Sequence, residues 1–210
     1  MTTMDQHLPL AIRRAAELVP TAWKNGNGTT CEVAVSPDDA SFNDFTWRAS
    51  MAEIATDGDF SPFPGIDRTL VLLGGAGVVL HLDTGRGPAE QHTLYEPFEP
   101  FRFAGETPLR ATLLQGASHG FNLMIRRNAG AGDVEVWRGP GNFVLPEDLV
   151  LLFIVRGVVE LHGAGANAPA PIALDPCDSV KVNALAKSGL SVVLPANAVV
   201  LAVRIRLTAD

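Results

Sequence analysis

The chain has 210 residues, of which 47% are hydrophobic and 19% are charged. This composition excludes an intrinsically disordered protein, and no apolar run reaches the roughly 18 residues that a membrane-spanning helix needs. The formal net charge of −7 argues against nucleic acid and anionic membranes as partners, because both are bound by broad positive surfaces.

The N-terminal segment and the cysteines indicate a cytoplasmic protein. Residues 1–9 contain no apolar stretch of the kind found in signal peptides. Cys31 and Cys177 lie far apart and form neither a CxxC motif nor a dense disulfide framework. We therefore predict a cytoplasmic location and reduced thiols.

Taken in chain order, the predicted elements are almost all short strands. A helix of about two turns is predicted only at residues 12–18, before Pro20. Short runs rich in β-branched and aromatic residues, bounded by Gly, Pro, Asp or Asn, are typical of strands. They occur at 29–36, 45–54, 69–73, 78–82, 108–115, 121–127, 149–155, 158–162, 179–182, 190–194 and 198–207.

An internal repeat of about 79 residues relates the two halves of the sequence. The motif Leu-Val-Leu-Leu at 70–73 recurs at 149–152, and in both copies a glycine and Val-Val follow. The segment 97–103 aligns with 176–182 at the same offset. The offset of 79 residues is recovered after a one-residue insertion, which argues against a chance similarity.

The repeat predicts the fold class. Each copy contains a hairpin with a glycine turn and further strands, and such a sheet buries one face only by rolling up or by packing on a second sheet. We predict an all-β bicupin, with two tandem jelly-roll (double-stranded β-helix) barrels that exchange strands in one compact molecule. The N-terminal half is expected at 1–130 and the C-terminal half at 131–210. The alternative is one large β-sandwich with an accidental similarity.

The histidines do not predict a metal centre. The sequence has five histidines, and none forms a His-x-His pair. A transition-metal site needs three or four converging ligands, and one barrel offers at most His81, His92 and His119 with Glu90. We expect no metal and no other cofactor, with the histidines at the surface or the barrel rim.

Two predicted strands carry polar side chains where apolar ones are usual. In the first, a period of two places Arg48 and Ser50 on one face. In the second, Asn122, Met124 and Arg126 share a face. If these faces line the barrel, they form a guanidinium-rich pocket suited to a carboxylate. The alternative is that both faces meet solvent.

Two predicted turns add further candidates. Trp23, Lys24 and Asn25 open a glycine-rich turn, which can bring an aromatic face, an ammonium and an amide to one rim and bind an anion through backbone N–H groups. A second turn at 63–68 ends in Arg68. The alternative for both is a purely structural turn.

At these residues the sequence resembles the HutD/Ves family of bicupin proteins, which is associated with histidine utilisation in bacteria. Five family motifs occur in order and at the expected spacing: Trp-Lys-Asn-Gly-Asn-Gly-Thr at 23–29, Trp-Arg-x-Ser-x-Ala at 47–52, Phe-Pro-Gly-x-Asp-Arg at 63–68, Phe-x-Gly-Glu at 103–106 and Asn-x-Met-x-Arg-Arg at 122–127. The sequence departs from the family pattern at Asn27, where glycine is usual, and at Gly120, where aspartate is usual.

The resemblance implies a bicupin without an established catalytic activity that binds a small acidic intermediate of histidine breakdown, such as formylglutamate or urocanate, and limits pathway flux. Our leading hypothesis is a regulatory protein that takes a small carboxylate metabolite into its first barrel. Arg48 and Arg126 would hold the carboxylate, and Lys24 and Arg68 would add positive potential. The other predicted site residues orient the ligand or cover its apolar side: Asn25, Ser50, Asn122 and Glu106 orient it, and Trp23 covers it.

Two other functions stay open at this point. One is a metal-independent enzyme, an isomerase, lyase or hydrolase, with Glu106 or His119 as general base and Lys24 as its electrophilic partner. The other is a structural or interaction protein whose first barrel is filled by side chains. For the oligomeric state, a homodimer is the hypothesis.

Overall fold

The computed structural model describes residues 10–23, 26, 28–85, 87–163, 165, 168–182 and 189–208. Within these residues the regular structure consists of β-strands and one short 3-10 helix, Ala15–Glu17. The strands are β1 (Leu10–Arg13), β2 (Pro20–Ala22), β3 (Gly28–Ser36), β4 (Trp47–Ile54), β5 (Gly58–Asp59), β6 (Ile66–Gly74), β7 (Val78–Leu82), β8 (Glu90–Leu94), β9 (Pro100–Ala104), β10 (Leu109–Leu113), β11 (Ser118–Arg126), β12 (Gly130–Arg138), β13 (Gly141–Val144), β14 (Leu149–Arg156), β15 (Val159–His162), β16 (Ile172–Leu174), β17 (Ser179–Val182), β18 (Ser191–Leu194) and β19 (Val199–Leu207). No helix in this part of the chain has the length and apolar character needed to cross a membrane.

The predicted helix at 12–18 is wrong. The strand β1 pairs antiparallel with β17, with Leu10 opposite Val182, and only Ala15–Glu17 forms a 3-10 turn. Leu10 is buried and Ile12 packs against the same hydrophobic cluster, so a period of two puts both side chains toward the core. Because so short a helix is marginal in water, the pairing with a sheet edge outweighs it.

One compact unit contains residues 10–18 and 132–206. It has a five-stranded sheet in the order β1-β17-β14-β19-β12 and a four-stranded sheet in the order β13-β18-β15-β16. Leu152 and Ile154 of β14 are fully buried in one cluster with Leu161 and Val192 of the smaller sheet. Aliphatic side chains from both sheets therefore form the core of this unit.

The second compact unit contains residues 19–131 together with 207–208. Its six-stranded sheet has the order β2-β3-β4-β11-β6-β9, and its four-stranded sheet has the order β5-β10-β7-β8. Leu70 and Leu72 of β6 share a buried cluster with Leu80 of β7 and Ala111 of β10. The second unit thus has its own core, built from one face of each sheet.

A glycine turn carries the chain from the larger to the smaller sheet of the second unit. It joins β6 to β7, where the sequence repeat predicted a hairpin with a glycine turn. The predicted hairpin is wrong, because the two strands belong to different sheets and do not pair with each other. Gly77 has a φ of +104°, and a Cβ atom at this position would lie 2.2 Å from the carbonyl oxygen of Leu94. No side chain fits there, and glycine alone adopts this backbone conformation without strain.

Candidate functional site

The second unit contains a cavity of about 830 Å³. It is lined by the six-stranded sheet, by the loop between β3 and β4 and by the segment between β5 and β6. The charged and amide side chains in its lining are Glu32, Arg48, Asp59, Arg68 and Asn122. This volume is within the usual range for small-molecule sites, about 300–1,000 Å³.

The strand register places several polar side chains beside one another on the cavity face of the sheet. Ser50 of β4 lies opposite Asn122 of β11. Met124, two residues further along β11, has Arg48 of β4 on one side and Arg68 of β6 on the other. Because side chains alternate along a strand, these residues point to the same face and form two adjacent rows.

Arg68 is a buried cation of the cavity lining, with 8% of its surface exposed. Its Nε and Nη2 atoms donate to Asn122 Oδ1 at 3.3 and 3.2 Å, and Nη1 donates to the carbonyl oxygen of Ser61 at 3.3 Å. Its guanidinium carbon also lies 4.9 to 5.4 Å from the centres of three aromatic rings, those of Phe60, Phe63 and Phe103.

No carboxylate among the described residues pairs with Arg68. Burial lowers the pKa of its guanidinium from 12.5 to about 10, so the group keeps its charge at neutral pH. A buried charge is normally compensated by an opposite one. The partners of Arg68 are neutral oxygens and aromatic faces, so among the described residues no acid is paired with its positive charge in the cavity lining.

Arg48 differs from Arg68 because a carboxylate already neutralises it. Its Nε donates to Glu32 Oε2 at 2.9 Å, and both residues line the cavity. The ring of Phe42 covers the guanidinium, with 4.2 Å from the Arg48 guanidinium carbon to the ring centre. Cation and anion together form a neutral pair in the cavity wall.

Aromatic side chains form the less polar part of the lining. Trp23 donates from Nε1 to Thr30 Oγ1 at 2.6 Å and meets Phe60 edge to face, with 6.3 Å between the ring centres. Phe42 stacks on Phe63 at 6.1 Å between ring centres. The cavity lining therefore combines charged side chains with aromatic side chains.

Five of the nine predicted site residues lie together at this cavity: Trp23, Arg48, Ser50, Arg68 and Asn122. Lys24 and Asn25 fall outside the described residues. Arg126 and Glu106 are described, but they are not among the described residues that line the cavity.

Arg126 and Glu106 have other partners. Arg126 donates from Nε to the carbonyl oxygen of Phe45 at 3.0 Å and from Nη2 to that of Asn43 at 2.8 Å. Glu106 accepts two hydrogen bonds from Arg127, at 2.9 and 3.1 Å, on the exposed surface. These bonds are the main reason that the pKa of Glu106 falls from 4.5 to about 2.

Most lining residues are absent from the predicted site residues, among them Glu32, Phe42 and Phe60. A period of two along β3 places Glu32 with Thr30, which also lines the cavity, and this alternation could have identified it. Phe42 and Phe60 lie in segments without regular structure, so no periodicity in the sequence indicates where their side chains point.

The histidines of the second unit lie apart from the cavity lining. His81 Nε2 is 3.1 Å from Thr112 Oγ1, His92 stacks on Phe101 with 4.2 Å between ring centres, and His119 is exposed. Within the described residues, no group of three or more His, Cys, Asp or Glu side chains could hold a metal ion.

Sequence comparisons relate the chain to bacterial proteins. The HutD family profile matches residues 15–201. Protein Ves of Cronobacter sakazakii is 44% identical over 115 residues, which cover 54% of this chain and 59% of Protein Ves, so the chain matches somewhat more than half the length of that relative. An uncharacterised 21.2 kDa protein in the hutC 3′ region of Pseudomonas putida is 33% identical over 156 residues, covering 74% of this chain and 79% of that protein.

Solved structures agree with the sequence comparisons. The conserved protein PA5104 of Pseudomonas aeruginosa PAO1 has a TM-score of 0.77 and 26% identity, covering 93% of this chain and 98% of its own. HutD of Pseudomonas fluorescens SBW25, solved in a formate condition, has a TM-score of 0.75 and 27% identity, covering 94% and 99%.

A Bacillus subtilis oxalate decarboxylase variant shares only 8% identity at a TM-score of 0.63, covering 92% of this chain and 76% of its own, and therefore supports the fold alone. The predicted all-β, cupin-like fold is confirmed. With a family profile matched from residue 15 to residue 201, the chain belongs to the HutD family of cupin-like proteins associated with histidine utilisation.

Proposed function

We propose that the cavity of the second unit binds a small carboxylate metabolite, formylglutamate-like or urocanate-like, and that binding serves a regulatory role in histidine utilisation. The observation that carries this proposal is the buried guanidinium of Arg68 without a carboxylate partner among the described residues. A ligand carboxylate would supply the missing negative charge. Guanidinium and carboxylate match in shape and charge, and they bind each other through two parallel hydrogen bonds.

The surroundings of Arg68 favour such an interaction. Asn122 and the carbonyl oxygen of Ser61 hold the guanidinium in place, so little side-chain freedom is lost when a ligand binds. Ser50 offers a hydroxyl and Asn122 an amide nitrogen as further hydrogen-bond donors. The aromatic rings of Trp23 and Phe60 in the cavity lining can cover the apolar part of the ligand.

The tandem architecture is also part of the proposal. The strand order β4-β11-β6-β9 in the second unit corresponds to the order β12-β19-β14-β17 in the first unit, because each strand is matched by the strand eight positions later in chain order. The order β5-β10-β7-β8 corresponds to β13-β18-β15-β16 in the same way. This parallel supports two barrels derived from one repeat of about 79 residues, with halves near 1–130 and 131–210. The cytoplasmic location and the homodimer remain predictions.

Calorimetric titration of the whole protein with urocanate, formylglutamate and glutamate tests the binding function. Replacing Arg68 with Met should weaken binding of the best ligand about ten- to a hundredfold, because it removes a charged pair of hydrogen bonds. Arg156→Met is the matched control, since Arg156 lies in the first unit and donates to the carbonyl oxygen of Asn197.

Absence of heat with all three ligands, or equal affinity of Arg68→Met and the unchanged protein, would count against the proposal. The recovered ligand is then analysed chemically. A binding protein returns it unchanged, whereas conversion to a product would favour the enzymatic alternative. The regulatory role is tested by introducing Arg68→Met into the source organism and measuring whether intermediates of histidine breakdown accumulate.

A further inference from the structure

We infer that Glu32 makes the cavity selective for ligands with one carboxylate over ligands with two. The inference rests on the proposed carboxylate binding at Arg68 and specifies the charge of the ligand. It starts from the different states of the two guanidinium groups that line the cavity. Arg68 has neutral partners, whereas Arg48 is already paired with the carboxylate of Glu32.

The two guanidinium groups would otherwise suit a dicarboxylate. Arg48 and Arg68 stand on either side of Met124 in the strand register. Their backbones are therefore about two strand spacings, or about 10 Å, apart. Both long side chains reach the same cavity, so an extended dicarboxylate could contact both. Glu32 removes this option because its Oε2 atom lies 2.9 Å from Arg48 Nε.

A second ligand carboxylate at Arg48 would meet a like charge. The Glu32 side chain is 37% exposed and belongs to the cavity lining, so it would face the incoming group. Asp59 also lines the cavity and pairs with Arg110 at 3.3 Å. Like charges a few ångströms apart in a partly dry site repel each other by about 1 kcal/mol or more. The cavity therefore accepts one negative group at Arg68 and disfavours another.

The remainder of a preferred ligand should be neutral. The rings of Trp23, Phe42 and Phe60 also line the cavity and offer apolar surface. Ser50 and Thr30 offer hydroxyl groups for neutral polar atoms. This arrangement suits a monocarboxylate whose other end is an amide, a heterocycle or a hydrocarbon.

A pair of ligands with nearly the same shape tests the inference. N-formylglutamate has two carboxylates, and N-formylglutamine replaces the side-chain carboxylate with a neutral amide. Titration of the unchanged protein should show about tenfold tighter binding of N-formylglutamine, equivalent to about 1.4 kcal/mol. Raising the salt concentration from about 0.05 to about 0.5 M should reduce this preference, because salt screens the repulsion.

Glu32→Gln should lose most of the preference, because the released Arg48 can then accept the second carboxylate. Glu90→Gln, a change at an exposed glutamate of β8, is the matched control and should keep the preference. Equal binding of the two ligands by the unchanged protein, or an undiminished preference in folded Glu32→Gln, overturns this inference and leaves binding at Arg68 intact. Absence of binding by both ligands overturns this inference, and absence of heat with urocanate and glutamate as well overturns the proposed function.

Discussion

The buried position of Arg68 should cost the ligand-free protein stability, and under the proposed function it serves ligand binding. A buried guanidinium loses most of its hydration, and its neutral partners replace that hydration only in part. The three aromatic rings around the guanidinium stabilise it in part through cation–π interactions. Each such interaction contributes about 0.5–1 kcal/mol at an exposed site and more where water is excluded. Under the proposed function, the remaining cost is recovered when a carboxylate binds.

Arg68→Met should therefore raise the free energy of unfolding of the ligand-free protein, by about 1 kcal/mol, while it weakens ligand binding. Methionine fills similar space without a charge to dehydrate. Urea denaturation monitored by tryptophan fluorescence measures the change. Arg48→Met is the comparison, and it should lower stability because it separates Glu32 from its partner. A clear loss of stability in Arg68→Met would contradict this account of the cavity.

At the residue scale, strand alternation predicted part of the site and missed another part for physical reasons. The period of two correctly grouped Arg48 with Ser50, which the structure places on the cavity face. The same reasoning grouped Arg126 with Asn122. Arg126 is the last residue of β11, however, where nearby loop carbonyl oxygens accept its hydrogen bonds. Alternation gives the face of a strand but not the partner at its end.

At the element scale, the loop between β3 and β4 depends on β11. This loop carries Phe42, whose ring covers Arg48 in the cavity wall. The guanidinium of Arg126 is bonded to the carbonyl oxygens of Asn43 and Phe45, one on each side of Asp44. A strand end thus fixes a loop that has no regular structure of its own.

Arg126→Ala should loosen this loop and weaken ligand binding only a few-fold. Two hydrogen bonds from a charged donor are lost at a partly exposed site, so we expect the free energy of unfolding to fall by about 1–2 kcal/mol. Hydrogen exchange of amides at 40–46 should accelerate. The neighbouring change Arg127→Ala is the control, because Arg127 pairs with Asp67 and Glu106 instead. Unaltered exchange at 40–46 in Arg126→Ala would contradict the role assigned to Arg126.

Among the elements, the sequence identified long apolar strands and missed strands in which alternation or strand propensity is weak. The long apolar strands β6, β11, β14 and β19 were all predicted to within a few residues. The strand β8 was missed because only Leu94 of its five residues is buried, which leaves no alternation to detect. The strand β12 was also missed, because it begins with Gly-Ala-Gly-Asp, a sequence with low strand propensity. It lies at the predicted boundary between the halves.

At the scale of the whole molecule, acid should destabilise both compact units through ion-paired carboxylates. In the second unit, hydrogen bonds from Arg127 hold the pKa of Glu106 at about 2, below its usual 4.5. In the first unit, Arg204 and Arg206 lower the pKa of Asp148. A carboxyl group whose pKa is lower in the folded state stabilises the protein above its unfolded pKa, and this contribution disappears as the pH falls toward the folded pKa.

We therefore expect Glu106→Gln to lose less stability than the unchanged protein between about pH 5 and about pH 3. The pH interval lies around the usual pKa of 4.5 and above the folded-state value of about 2. Urea midpoints at the two pH values measure the effect, and Arg127→Gln should reduce the acid-induced loss in the same way. If Glu106→Gln loses as much stability as the unchanged protein, the ion pair contributes nothing to acid sensitivity.

The strand β1 pairs with β17, which is far from it in the sequence, and this has a consequence for synthesis on the ribosome. Leu10–Arg13 is translated before residues 19–131, whereas its neighbour Ser179–Val182 is translated after them. Residues 19–131 leave the ribosome in between and carry a core of their own, so they can fold while translation continues. The strand β1 therefore stays without this pairing until β17 has been translated, which leaves it exposed to chaperones and proteases in the nascent protein.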